Sequence, residues 1–134
     1  MKTLRCQSMH CWICRLAMGV LVPLVSADPG LTYFPELKTS AGMCLGGHLA
    51  YRCALDPRVV SAICYFATDI HSSTLGKGKK DDSLARTKDI KGELVMIFGK
   101  MDNHVPPEGR DLIRKTLHEA GVTFSFYEPA WAQR

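Results

Sequence analysis

The chain has 134 residues, 46% of them hydrophobic and 22% charged, with a net charge of +4. That suffices for one small globular domain with its own core. A mildly basic balance, without a stripe of Lys and Arg interleaved with aromatics, argues against a nucleic-acid partner, and the apolar run Leu16–Val25 is too short to span a bilayer.

Residues 1–37 read differently from the rest. Lys2, Arg5 and Arg15 precede the apolar run, and Val25-Ser26-Ala27 is an acceptable cleavage triplet, so the stretch resembles a secretory signal. Its basic region is long for a signal and contains Cys11-Trp12-Ile13-Cys14, and a divergent or spliced-in segment is the alternative expected here. A cytoplasmic protein is therefore expected, with a secreted cysteine protein as the alternative. The six cysteines do not form a disulfide framework: Cys6, Cys11 and Cys14 crowd the start, while Cys44, Cys53 and Cys64 lie in or beside apolar runs where reduced thiols are common. The lone C-x-x-C lacks the further ligands of a zinc site and the βαβ context of a redox motif, so no metal is expected.

From Lys38 to Arg134 the pattern becomes orderly. Glu36-Leu37-Lys38-Thr39-Ser40-Ala41 is polar and reads as a poor strand. Gly47–Leu55 has helical spacing, with Leu49, Ala50, Cys53 and Ala54 on one face, and Asp56-Pro57 stops it. Val59–Phe66 is β-branched and aromatic, a buried strand. Residues 67–90 predict a long polar connection, and its basic-acidic cluster Gly76–Asp82, GKGKKDD, reads as a solvated loop, with anion binding as the alternative. Glu93–Gly99 predicts a second buried strand. Pro106–Gly121 predicts an amphipathic helix with proline at its start, glycine at its end and Leu112, Ile113 and Leu117 on one face. Val122–Glu128 alternates like a strand, and Pro129 ends it. Alternating strands and helices argue for an α/β domain with parallel strands and crossover helices. Continuous apolar strands imply cover on both sheet faces, and the chain offers few helices for that.

Gly42-Met43-Cys44-Leu45-Gly46 fits G-x-C-x-G, the cysteine form of a nucleophile elbow. A nucleophile on a tight strand-to-helix turn is strained, and glycines two residues either side let the backbones pass closely. The helix N-terminus that follows aims N–H groups and partial positive charge at such a site, which favours a thiolate. The Leu45 N–H is the expected oxyanion donor. A second signal is Asp102, in the loop after the strand ending at Gly99. Functional groups of open α/β sheets collect there, and an aspartate can orient a histidine, although one that merely caps its own turn is the plainer reading.

The two stretches, GMCLGGHLAYRCALDPRVVSAICYFATDIHSSTLG and GELVMIFGKMDNHVPPEGRDLIRKTLHEAGVTFSFYE, resemble the dienelactone hydrolase family of α/β-hydrolases in a fungal-type version, over Gly42 to Tyr127. The resemblance implies a partial α/β-hydrolase fold (doubly wound, mainly parallel) lacking its N-terminal strands and last helix. It implies hydrolysis of small esters or lactones by a cysteine–histidine–aspartate triad, with Cys44 as nucleophile and Asp102 as acid, and no cofactor. The triad histidine belongs after the last strand, where this chain reads Ala130-Trp131-Ala132-Gln133-Arg134. Either Arg134 stands in its place, and arginine stays protonated and cannot take up the thiol proton, or the chain ends before reaching the histidine. Of the other histidines, His48 is expected to face away from the catalytic loops, His118 to be solvated, and His71 to lie in the loop after the Val59–Phe66 strand. His104, two residues from Asp102, is the one candidate substitute. A hydrolase impaired by the missing imidazole is thus expected; the alternative is a non-catalytic remnant or interaction module.

Overall fold

The computed structural model describes residues 20–23 (as backbone), 38–73 and 81–133. Five strands form one sheet in sequence order: β1 (Val20–Pro23), β2 (Lys38–Met43), β3 (Val59–Tyr65), β4 (Glu93–Ile97) and β5 (Phe124–Tyr127). β1 runs antiparallel to β2, and β2 to β5 are mutually parallel. Helix α1 (Leu45–Cys53) joins β2 to β3, and α2 (Pro107–Glu119) joins β4 to β5. The β3–β4 connection contains one short 3-10 turn, Thr87–Asp89. The Cys6, Cys11 and Cys14 cluster, the signal-like stretch outside Val20–Pro23, Lys77 to Lys80 and Arg134 lie outside the described residues.

Strand alternation sorts the sheet into two faces. Ser40, Ala62, Leu94 and Phe124 are register partners on one of them, followed by Gly42, Cys64, Met96 and Phe126. Both helices cover this face: Ala50, Tyr51 and Ala54 of α1 and Ile113 and Leu117 of α2 join Ala62, Cys64, Leu94 and Met96 in a single core. On the opposite face Met43, Tyr65, Ile97 and Tyr127 are register partners at the carboxyl ends of the four parallel strands. Among the described residues no helix lies on that face.

The ends of α2 follow its sequence signals. Pro107 occupies the first helical position. At the other end Gly121 is left-handed (φ 67°), its N–H donates to the His118 carbonyl and the Val122 N–H to the Leu117 carbonyl, the paired bonds of a Schellman stop.

Two expectations are corrected. The polar stretch before the elbow is a strand after all: Lys38–Met43 pairs with β1 on one side and β3 on the other. Its polarity is accommodated because Ser40 is buried with its Oγ donating to the Ala50 carbonyl of α1 at 3.2 Å, so the hydroxyl acts as a clip between strand and helix. The β3–β4 connection is not uniformly polar either: Ala67, Thr68, Ile70, Ser83, Thr87 and Ile90 are buried, while Gly76 to Lys80 of the expected solvated cluster lie outside the described residues. This segment packs on the outer side of α1, where Tyr51 and Thr87 share a 2.6 Å hydrogen bond. α1 is therefore enclosed on both sides, and its burial runs continuously from Gly46 to Tyr51 rather than along one stripe.

Candidate active site

Cys44 connects β2 directly to α1 with φ 57° and ψ −123°, a conformation that costs a non-glycine residue about 1–3 kcal/mol. The surroundings hold it there. Its N–H donates to the Tyr65 carbonyl at 3.0 Å, and its carbonyl accepts the His48 and Thr68 N–H groups at 3.2 and 3.3 Å. Gly42 and Gly46 pass so closely that a Cβ on Gly42 would stand 2.1 Å from the Gly46 carbonyl oxygen. The thiol lies at the carboxyl edge of the sheet, half-buried. Leu45 begins α1, so its N–H is one of the first-turn donors without an intrahelical acceptor.

None of the three described cysteines, Cys44, Cys53 and Cys64, is in a disulfide. Cys64 is fully buried under the helices, and that burial pushes its thiol far up, with Cys53 adding to the effect. Buried and held protonated, Cys64 is chemically inert.

Asp102 lies five residues beyond the end of β4, at the same edge, and is 4% exposed. Its Oδ1 accepts the His104 N–H at 2.8 Å, so it does cap its own turn. Its Oδ2 is buried with no hydrogen-bond partner among the described residues. A carboxylate oxygen in that condition is a costly acceptor awaiting a donor. The stretch after β5 passes directly over this loop: Lys100 N–H donates to the Pro129 carbonyl at 3.1 Å and Met101 N–H to the Ala132 carbonyl at 3.0 Å. A Cβ on Gly99 would collide with the Gln133 carbonyl, so the closeness depends on that glycine. Met101, Asp102, Asn103, His104 and Gln133 line a cavity of about 250 Å³.

The described histidines occupy different places. The His48 ring is fully buried, with Nε2 2.7 Å from Ser83 Oγ on the segment outside α1. Burial, reinforced by Arg52, lowers its pKa to about 4, so it is neutral at pH 7. His71 packs its ring on α2 at Gly109. His118 is exposed, edge-on to Phe124 at 4.8 Å. His104 contributes its backbone N–H to Asp102, and the residue is exposed. Among the described residues no group of three His, Cys, Asp or Glu is placed to hold a metal ion, and no helix is long and apolar enough to cross a membrane.

Sequence reasoning passed over Arg110. It is 2% exposed, although it carries a full charge. Its Nε donates to Glu128 Oε1 at 2.6 Å, Nη1 to the Val105 carbonyl at 2.6 Å, and Nη2 to the Lys100 carbonyl at 3.2 Å, with Nη1 also 3.5 Å from the Asp102 carbonyl. Arg114 pairs with the other oxygen of Glu128 and lies over the Phe126 ring, 4.4 Å from its centroid. The missed signal was spacing: Arg110 falls three and seven residues before Ile113 and Leu117, on the buried stripe of α2.

A mainly parallel sheet with a left-handed residue between its strand and the following helix, and an acid in the loop two strands on, defines an α/β-hydrolase. The model of the dienelactone hydrolase family matches residues 32–129, and the chain belongs to that family. It is 59% identical over 97 residues to a Saccharomyces cerevisiae protein provisionally named carboxymethylenebutenolidase, covering 70% of this chain and 36% of that relative. The chain thus spans little more than a third of the length of that curated relative. Among solved structures, a Klebsiella pneumoniae protein provisionally assigned as a dienelactone hydrolase superposes with a TM-score of 0.62 at 18% identity, over 70% of this chain and 39% of that one. Acetyl xylan esterase 1 from a Thermoanaerobacterium species gives 0.58 at 16% identity, over 90% and 44%. At such identities these two show the shared fold.

Proposed function

We propose that the chain carries the elbow and acid of a hydrolase acting on small esters or lactones, with Cys44 as nucleophile, Asp102 as the acid of the triad and the Leu45 N–H as an oxyanion donor. The observation that carries this is the backbone of Cys44, left-handed between two glycines in near contact at the head of α1. Such strain at a reactive side chain is the mark of a nucleophile elbow. Cys44 Sγ attacks the substrate carbonyl carbon, its proton passing to solvent. The C–O bond to the leaving group breaks, the alcohol departs with a proton, and a thioester remains. Water then releases the carboxylic acid and restores the thiol. No step requires a metal or cofactor.

Residues 129–134 supply no imidazole. Without a general base at such a site, turnover falls about 10²–10⁴-fold. Asp102 Oδ2, buried and without a hydrogen-bond partner among the described residues, supports the hydrolase reading, because it is the oxygen an imidazole N–H would meet. A second reading is a non-catalytic module that keeps this part of the fold, favoured by His104, which is exposed and offers Asp102 its backbone N–H. Hydrolysis of a nitrophenyl ester by the purified chain, compared with Cys44→Ala, separates the two. A Cys44-dependent rate supports the hydrolase; equal rates in the two proteins overturn it.

A further inference from the structure

Arg110 occupies an unusual position for a cation. Its guanidinium is buried in the angle between three segments: its own helix α2, the loop Gly99–Val105 that carries Asp102, and the stretch beyond β5. A buried unpaired charge costs several kcal/mol, so a buried arginine persists where its five donors meet acceptors in fixed directions. Here one carboxylate oxygen of Glu128 and the carbonyls of Lys100 and Val105 are those acceptors, with the Asp102 carbonyl at the limit of reach. The two strong carbonyl contacts fall on either side of Asp102 in the chain. Glu128 is itself held from the far side by Arg114.

We propose that Arg110 is the positioning residue of the acid loop, fixing the Asp102 carboxylate relative to the stretch after β5. The proposal rests on the reading of Asp102 as the triad acid for its functional meaning, but its geometry does not. Loops carry no periodic hydrogen bonding of their own, and Gly99–Val105 is held by two sets of bonds. One is the backbone pairing of Lys100 and Met101 with Pro129 and Ala132. The other is the guanidinium fork. The backbone pairing fixes the start of the loop, Gly99 to Met101. The fork spans the loop from Lys100 to Val105 and thereby brackets the turn in which Asp102 Oδ1 takes the His104 N–H. A lysine at 110 would keep the charge near Glu128 but, as a point donor, cannot address that carboxylate and two diverging carbonyls at once.

The test is amide hydrogen exchange by NMR on the whole chain and on Arg110→Lys. In the variant the amides of Met101, Asp102 and His104 exchange about tenfold faster or more, while those of β3 and α1 keep their rates. Unchanged loop rates overturn the proposal. So does equal acceleration throughout the molecule, which is what a residue serving only global stability would give. Should the variant fail to fold, the wild-type side chain decides: a buried, bonded Arg110 Nε–H exchanges slowly, and one exchanging at the solvent-limited rate overturns the proposal. Ester hydrolysis is a separate arm. If the wild type shows Cys44-dependent turnover, Arg110→Lys lowers kcat about ten- to a hundredfold with KM nearly unchanged. A kcat that stays at the wild-type level overturns the proposal. A wild type without such turnover removes the proposed function and leaves the exchange pattern to decide the role of Arg110.

Discussion

The two faces of the sheet are built from the same strands and have opposite fates. On the face under α1 and α2, Ala62, Cys64, Leu94 and Met96 are all inaccessible to solvent. One residue further along, on the other face, Met43, Tyr65 and Tyr127 are 42%, 39% and 55% exposed, and Ile63, Val95 and Ile97 are half-buried. Continuous apolar strands belong to sheets covered on both sides. The strands of this chain are thus composed for a two-sided fold, while the helices among its described residues supply one side. Apolar composition therefore says where a strand can be buried, and only the helices that pack on it say where it is.

That contrast is best broken at its tightest point. Gly42→Ala puts a methyl into the Gly46 carbonyl, on the covered side where α1 cannot retreat from both the sheet and the Ser83–Thr87 segment. A loss of about 3 kcal/mol or more is expected in urea unfolding, as for severe overpacking. Next comes Leu94→Ala, which empties a fully buried site and costs about 3 kcal/mol. Its neighbour across the sheet, Ile97→Ala, has less burial to lose and costs about 1 kcal/mol. Equal losses at Leu94 and Ile97 would show that the two faces do not differ in packing.

A change of pH sharpens the comparison from the covered side. His48 is neutral on the covered side with its pKa near 4, against 6.5 for an unperturbed ring, burial being the main cause and Arg52 the second. The unfolded chain therefore binds the extra proton first. Its contribution to stability is complete above pH 6.5 and is lost as pH falls toward 4, by roughly 2–3 kcal/mol. Stability measured for wild type and His48→Gln should diverge least at low pH and most above neutrality; a constant difference across that range would contradict it. Least of all, Glu119→Ala removes an exposed i,i+4 pair with Lys115, 3.8 Å apart, and should change stability by about 0.5 kcal/mol or less.

How far the sequence reached depends on which forces act locally. The α2 signals are local, proline first and glycine last, and the helix runs within a residue or two of them. The elbow was legible because its glycines are demanded by sterics within five residues. β2 was not legible, because what makes Lys38–Met43 a strand is supplied from elsewhere: β1 and β3 on its edges and the Ala50 carbonyl above Ser40. The polar-looking β3–β4 connection hid its buried members for the same reason, since Ser83 and Thr87 are matched by His48 and Tyr51, more than thirty residues away. His48 and Arg110 share this character. Each is a polar side chain whose burial is made tolerable by partners that no spacing rule brings together.

The order of the sheet has one further consequence, at its β5 margin. Among the described residues β5 pairs with β4 alone, so one side of its backbone offers donors and acceptors to any passing extended chain. Such margins invite stacking into aggregates. Here the invitation is brief: the strand is four residues long, Pro129 follows two positions after it with no N–H to give, and the charged pair Arg114–Glu128 stands at its end. Beside a face that the described helices leave uncovered, the margin at β5 is short, and this limits how readily one copy can add itself to the next.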